Sequence, residues 1–271
     1  MALNISIWHN TLVENFYPDN SFASKSVDDS TYVSAKKVVI PNAGKPSNVK
    51  KNRPVKPAQV NQRTDDDLEY VIDELTTDPI YIPNIDTVEL SYDKRSSIIS
   101  NDRTQLQNEA HLNLLERWGA GVPAANVLLT TGTTERAAHT SETATGKRKR
   151  ITKDDLLAIM TRMDADNVPE QGRYILLDAY MYADLLADLS ESDKWMFQNS
   201  ADMQRGVLGN LYGLNIMKRS KVLRVKNDKT LLSWEEDAVA GELAAALAWH
   251  DKSVSRALGE VKMFDSTNNP M

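Results

Sequence analysis

The stretch NAGKPSNVKKNRPVKPAQVNQRTDDD, residues 42–67, decides how the rest of the chain is read. From Lys45 to Arg63 it carries Lys45, Lys50, Lys51, Arg53, Lys56 and Arg63, and no acid. Its prolines are Pro46, Pro54 and Pro57, and its only sizeable aliphatics are Val49, Val55 and Val60. It lacks the apolar surface to offset its own ordering entropy. Yet strand-like segments flank it. On one side TYVSAKKVVIP, residues 31–41, is rich in β-branched residues and reads as a strand ending at Pro41. On the other, LEYVIDELTTDPIYI alternates Leu68, Tyr70 and Ile72 with Glu69, Val71 and Asp73, a half-buried strand pattern. Residues 31–82 therefore read as a hairpin with a very long cationic tip. Hairpin loops usually run to about 2–5 residues, and much longer ones are functional or disordered.

Around this finger the chain has ordinary globular composition. Its 271 residues are 41% apolar and 26% charged, enough to bury a real core. A net charge of −6 argues against a general nucleic-acid binder. The absence of cysteine excludes disulfides and thiolate chemistry. The N-terminus has neither the basic start nor the apolar run of a signal peptide, and no apolar stretch suggests a membrane span. The expectation is a protein made in a cytoplasm, with no membrane.

Residues 1–31 mix Trp8, Phe16, Tyr17 and Phe22 with Asn, Ser and Asp. They read either as an arm that buries its aromatics against something else or as a disordered tail. SSIISNDRTQLQNEAHLNLLERWGAGVP is the clearest helix, about 96–118. Ile99, Leu106, Ala110, Leu114 and Trp118 form one narrow stripe beside Leu115. Some 22 residues make it about 33 Å long, apolar on one side only. Thr152 with Asp155 resembles a capping box, backed by Leu156, Ile159, Met160 and Met163. A strand at Tyr174–Leu177 and a helix capped by Asp178 follow. Gly206, Gly209 and Gly213 read as turn points, followed by a strand through Val225. A short helix at Lys252–Leu258 and a last strand to Phe264 complete the chain. Without a βαβ rhythm, the class is α+β.

Catalytic signals are weak. His9, His111, His139 and His250 stand far apart, and His111 reads as a surface or packing residue. Gly146-Lys147 lacks the earlier glycine of a phosphate loop, and Arg148 replaces its Ser/Thr. Acidic clusters at Asp65–Asp67, Asp164 with Asp166, and Glu235–Asp237 read as solvated turns more readily than as cation sites. The basic run Lys147–Arg150 has three open readings: nucleic acid, an acidic neighbour, or a solvated loop. The expectation is a protein that is not an enzyme, with no catalytic, cofactor-binding or metal residues and no cofactor.

Taken in order, several segments resemble the major capsid proteins of tailed bacteriophages with the Hong Kong 97-type fold. These are the arm containing FYPDNSF, the strand ending VVIPNAG, the long loop, ELTTDPIYI, SYDKRSSII leading to LLERW, NVPEQGRYILLDAYMYADLL, GVLGNLYGLNIM and ALAWHDKSVSRALGEVKMF. The resemblance implies an N-arm at 1–31 and an extended E-loop hairpin at 32–88, with its tip at about 42–67. It implies a peripheral domain at 89–152 with the spine helix, and an axial domain at 153–240. C-terminal strands and a short helix at 241–271 would complete the body. It further implies a virion subunit assembled in the host bacterial cytoplasm through hexamers and pentamers. The resulting icosahedral shell would enclose double-stranded DNA held without sequence-specific contacts. Partners would be further copies of itself, a separate scaffolding protein (or none), a portal, and decoration or head-fibre proteins. Lys45, Lys50, Lys51, Arg53, Lys56 and Arg63 would form an inter-subunit contact at the E-loop tip, facing acids such as Asp188, Glu191 and Asp193 or Glu235–Asp237. Trp8, Phe16, Tyr17 and Phe22 would form the N-arm contact. An encapsulin-like compartment shell is the nearest alternative, and an α+β small-molecule enzyme a more distant one. A mobile solvated loop remains the other reading of the finger.

Overall fold

The computed structural model describes residues 17–34, 36–44, 49, 51–52, 65–80 and 94–258, and only the backbone of 94 and 95. The chain divides into two compact units. One is Met1–Val27 with Leu75–Arg256, and the other is Asp28–Glu74 with Ala257–Met271.

The smaller unit is built on the expected hairpin. Strands β1 (Lys37–Asn42) and β2 (Asp66–Val71) pair antiparallel, from Lys37↔Val71 to Asn42↔Asp66. The strand starts later than Thr31. Ser30–Tyr32 form a 3-10 turn, and Lys36 is left-handed at φ 64°, a conformation that a continuous strand excludes. Val38 is fully buried, while Leu68 is 58% exposed. The Tyr70 hydroxyl donates to Asp29 Oδ2 at 3.0 Å, and Lys36 bonds Glu74 at 2.5 Å. Burial, then the Asp29 carboxylate, pushes the Tyr70 hydroxyl well above its ordinary pKa. Past the last strand pair, the Gly44 N–H donates to Asp65 Oδ1 at 2.8 Å, pinning the base of the tip.

The larger unit centres on RYILL. Strand β5 (Arg173–Leu177) has β11 (Leu247–His250) antiparallel on one side. On its other side β7 (Leu214–Lys218) runs parallel to it, followed by β6 (Gly209–Leu211). Two short sheets accompany it, β3 (Glu135–Ala137) with β4 (Lys147–Lys149), and β8 (Leu223–Val225) between β9 (Leu231–Leu232) and β10 (Leu243–Ala245). Its described α-helices are α1 (Lys94–Ala120), α2 (Lys153–Ala165), α3 (Ala179–Asp188) and α4 (Glu191–Asn199).

The pleat of the central sheet sends alternate side chains into two cores. Ile175, Leu177, Leu214 and Ile216 pack with Leu156, Met181, Leu185 and Phe197 from the later helices. Leu176, Met217, Leu247 and Trp249 pack with Leu115, Trp118 and Phe22. Burial on both faces is why Tyr174–Leu177 is an unbroken apolar run rather than an alternating one.

The local signals of the α2–α3 region form as expected. Thr152 and Asp155 make the capping box, and Asp178 Oδ1 accepts from the Met181 N–H at 2.6 Å. Other expectations are corrected. Helix α1 begins before Ser96 and runs through Gly119; Trp118 and Leu115 are buried as expected, Leu112 is buried with them, and Ile99, Leu106, Ala110 and Leu114 of the expected stripe are only half-buried. Gly209 is no turn. It lies in β6, where an added Cβ would fall 2.4 Å from the Phe197 ring and 2.6 Å from its carbonyl oxygen. The strand leading to Val225 is two strands, parted at Arg219, whose guanidinium turns inward. Lys252–Leu258 form no helix. The Ser253 N–H donates to His250 O and the Lys252 N–H to His250 Nδ1, closing a turn before extended chain. The stretch to Phe264 lies outside the described residues. The mixed α and β class stands, but β5 and β7 are a parallel pair joined through α3 and α4, a crossover that the sequence reading had not anticipated.

Gly209→Ala should cost about 1–3 kcal/mol through overpacking against Phe197. Gly213→Asn should be near neutral, since Gly213, at φ 76°, has open space beside it and Asn tolerates left-handed backbone. Urea unfolding of both variants checks this, and equal losses would contradict it.

Candidate functional site

Among the described residues no group of three or more His, Asp or Glu could hold a metal, and no helix is long and apolar enough to cross a membrane. The acidic clusters serve local structure. Asp164 accepts from Arg173 at 2.7 Å, Asp166 lies 3.3 Å from Arg162, and Asp65 pins the base of the finger. Glu235, Glu236 and Asp237 are exposed. The histidines do not converge. His111 packs edge-on to Phe22 at 5.9 Å, and burial pulls its pKa down. His139 stacks on Tyr180 at 3.9 Å, and His250 shapes its turn. His9 lies outside the described residues.

Three surfaces take the place of a pocket. The first is the finger, in the smaller unit. Of its cations, Lys51 is exposed, while Lys45, Lys50, Arg53, Lys56 and Arg63 lie outside the described residues. Of the acids expected to face such a finger, Asp188 accepts from the Lys153 N–H at 2.8 Å, and Asp193 completes the capping box of α4. Glu191 is left 96% exposed.

The second is the arm. Trp8 and Phe16 lie outside the described residues. The Tyr17 hydroxyl donates to Asn101 O of α1 at 3.3 Å. Phe22 is 1% exposed, set edge-on to Trp118 at 5.9 Å, so its surface is spent inside its own chain and none is left for a neighbour. Beside it the Arg219 guanidinium donates to Asn20 Oδ1 at 3.1 Å and to Asn108 Oδ1 at 2.8 Å. Burial pulls its pKa down to about 10. Nothing local in sequence singled out Arg219, because its side-chain partners Asn20 and Asn108 lie far away along the chain.

The third is the basic run. Its strand β4 pairs with β3 so that Arg136 and Arg148 stand opposite one another. Both reach the fully buried Asp184 of α3. Arg136 Nε donates to Asp184 Oδ1 and Oδ2 at 2.8 and 2.9 Å, and Arg148 Nη1 to Oδ2 at 3.1 Å. Arg150 Nε stands 3.5 Å from Oδ1. The bond to Asp184 raises the Arg136 pKa. Lys147, on the other face of the hairpin, lies 3.5 Å from Glu135. Of the three readings, a plain solvated loop is excluded, and the acidic neighbour includes Asp184 of the same chain.

Two buried carboxylates anchor this region. Asp155 accepts from the Thr131 N–H at 3.0 Å and the Thr152 N–H at 2.8 Å. Glu242 accepts from Thr140 Oγ1 at 2.5 Å, the Val239 N–H at 3.1 Å and Arg224 Nη1 at 3.2 Å. Gly146 sits so close that an added Cβ would lie 2.0 Å from Glu242 O.

Neither the known protein families nor the curated proteins contain a match to this sequence. Solved structures do match. The capsid of Ralstonia phage GP4 aligns over 96% of this chain and 84% of its own, at TM-score 0.63 and 14% identity. The capsid structure of cyanophage P-SCSP1u aligns over 93% and 79%, at TM-score 0.59 and 18% identity. A structure from Mycobacterium phage Che8 aligns over 94% and 82%, at TM-score 0.57 and 15% identity. The chain has the fold found in these phage structures. The likeness runs along nearly the whole chain.

The Glu242 anchor gives a pH dependence. Burial alone would raise its pKa, but the bonds from Thr140, the Val239 N–H and Ser141 and the charge of Arg224 outweigh it and hold the carboxyl below its ordinary 4.5. A depressed folded pKa contributes stability that is fully present above that ordinary value and is lost as pH falls through the depressed one. In urea unfolding, the advantage of the wild type over Glu242→Gln should be largest near neutral pH and shrink below about pH 4.5. An advantage that does not change with pH would contradict this.

Proposed function

We propose that this chain is the major capsid subunit of a tailed phage, assembling through hexamers and pentamers into an icosahedral shell around double-stranded DNA. The observation that carries the proposal is the fold match to phage capsid structures over more than nine-tenths of the chain. The layout is that of a Hong Kong 97-type subunit. The N-arm is 1–31, the E-loop 32–88 and the peripheral domain 89–152 with α1 as its spine. The axial domain is 153–240, completed by the C-terminal segment. The role is structural rather than catalytic.

The physical features support this reading. A long hairpin with one fully buried side chain among its described residues and an exposed strand face gains little by folding alone. Across a neighbouring subunit it gains a covered face. Its prolines remove backbone donors and so discourage edge-to-edge pairing with wrong partners. Its charges give register and specificity more than affinity, each exposed pair being worth about 0–1 kcal/mol. Repeated around every capsomer, such pairs decide assembly. The net charge of −6 suits a wall that must release DNA as well as enclose it. A portal, a separate scaffolding protein (or none) and decoration or head-fibre proteins are the candidate partners of such a shell, and the host bacterial cytoplasm is where it would assemble.

The test is the triple reversal Lys50→Glu, Lys51→Glu, Arg53→Glu. Wild type should sediment as particles, alone or with a scaffold. The reversed chain should keep the wild-type circular dichroism and melting temperature but stay as free subunits. Normal particles from the reversed chain would remove the finger from assembly. DNA rather than enclosed protein cargo inside the particles would mark a genome shell.

A further inference from the structure

The cationic cluster on Asp184 is overfilled. Three guanidiniums, from Arg136, Arg148 and Arg150, converge on one carboxylate. A second acid, Asp178, acts on Arg136 from a distance, but its own carboxylate caps α3 through the Met181 N–H. The cluster therefore keeps a positive surplus even with both acids ionised. Arg136 grips Asp184 with its Nε–Nη2 edge, the side-on pair of donors that matches a carboxylate. The same edge of Arg148 is empty. Its Nε and Nη2 are buried and have no hydrogen-bond partner. Buried guanidinium donors without partners cost more than bonded ones gain, so the native context of this cluster should fill them.

We propose that the Arg148–Arg150 side of this cluster is a socket for a carboxylate side chain of a second copy of this chain. The proposal rests on the capsid reading above. Arg150 is the outermost group, with a side chain 44% exposed and only a 3.5 Å contact to Asp184. In the proposed socket Arg150 turns outward, and the arriving carboxylate bridges its guanidinium and the free Nε–Nη2 edge of Arg148. Tyr180, 44% exposed, lies under Arg136 beside the cluster. Charge favours this occupant. The chain holds 38 acids against 32 bases, and Glu235, Glu236 and Asp237 are exposed on every copy. Asp184 and Asp178 stand beside the socket, and they tolerate a singly charged carboxylate better than a doubly charged phosphate. An isolated surplus of this kind also differs from the extended basic track that follows a nucleic-acid backbone.

The test uses the full chain under assembling conditions. Light scattering gives the protein concentration at which particles form for wild type, Arg150→Gln and Arg150→Glu. Arg150→Glu should raise that concentration about tenfold or more, with Arg150→Gln between, while melting temperatures stay within a few degrees. Particles grown from equal amounts of 14N- and 15N-labelled wild type are then treated with a zero-length carbodiimide. Mixed-isotope crosslinks from Lys149 or Lys147 to an Asp or Glu should appear. If Arg150→Glu fails to fold, Arg150→Gln and the crosslinks decide. Unchanged assembly of the folded variants together with crosslinks only inside one label overturns the socket and leaves the capsid reading standing. Normal assembly of Arg150→Glu with less DNA per particle also overturns it, assigning the cluster to phosphate. Wild type that forms no particles overturns the capsid reading, and the socket with it.

Discussion

Strand β5 holds the larger unit together because both of its faces are buried. Ile175 and Leu177 close one core, Leu176 closes the other, and each is 1% exposed or less. A fully buried aliphatic side chain contributes about 1.5–3 kcal/mol, so this one strand ties helices α2, α3 and α4 on one side to α1 and the arm on the other. One end is held through a buried charge and the other through a backbone bond. Arg173, 2% exposed, is held by Asp164, Pro169 O and Val168 O. At the other end Leu177 O accepts from the Arg219 N–H at 3.0 Å.

The segment around Phe22 is tied into this core by named contacts. Phe22 is part of the Trp118–Trp249 cluster, and the Trp249 Nε1–H donates to Lys25 O at 2.8 Å. Arg219 secures the same segment without a carboxylate, through Asn20 and Asn108. A buried guanidinium held by neutral oxygens is costly to desolvate. Its donors are therefore worth keeping bonded, which fixes the arm's root at residue 20. Phe22 thus stabilises the core of its own chain.

How much was legible in sequence followed from how local each signal was. The capping box at Thr152, the N-cap at Asp178, the strand RYILL and the hairpin pairing all depend on residues close together or on simple periodicity. On α1 Leu115 and Trp118 were legible, but Leu112 was not, because several half-buried aliphatics share the helix. What selects among them is Phe22, some ninety positions earlier. Gly209 looked like a turn because the reason for a glycine there, the Phe197 ring, is tertiary. The helix at Lys252–Leu258 failed because His250 organises a turn through its ring and carbonyl. The Asp184 cluster had only half a signal. The basic run was conspicuous, but its acid lies 36 positions from Arg148 and 48 from Arg136. Nothing in the spacing joined them.

Electron microscopy of the purified chain, with particle mass from light scattering, tests the central claim most directly. The account predicts closed shells, or rings of five or six subunits, with this fold as the repeating unit. A stable monomer of 30.3 kDa that forms no particle when concentrated or given a scaffold would contradict it.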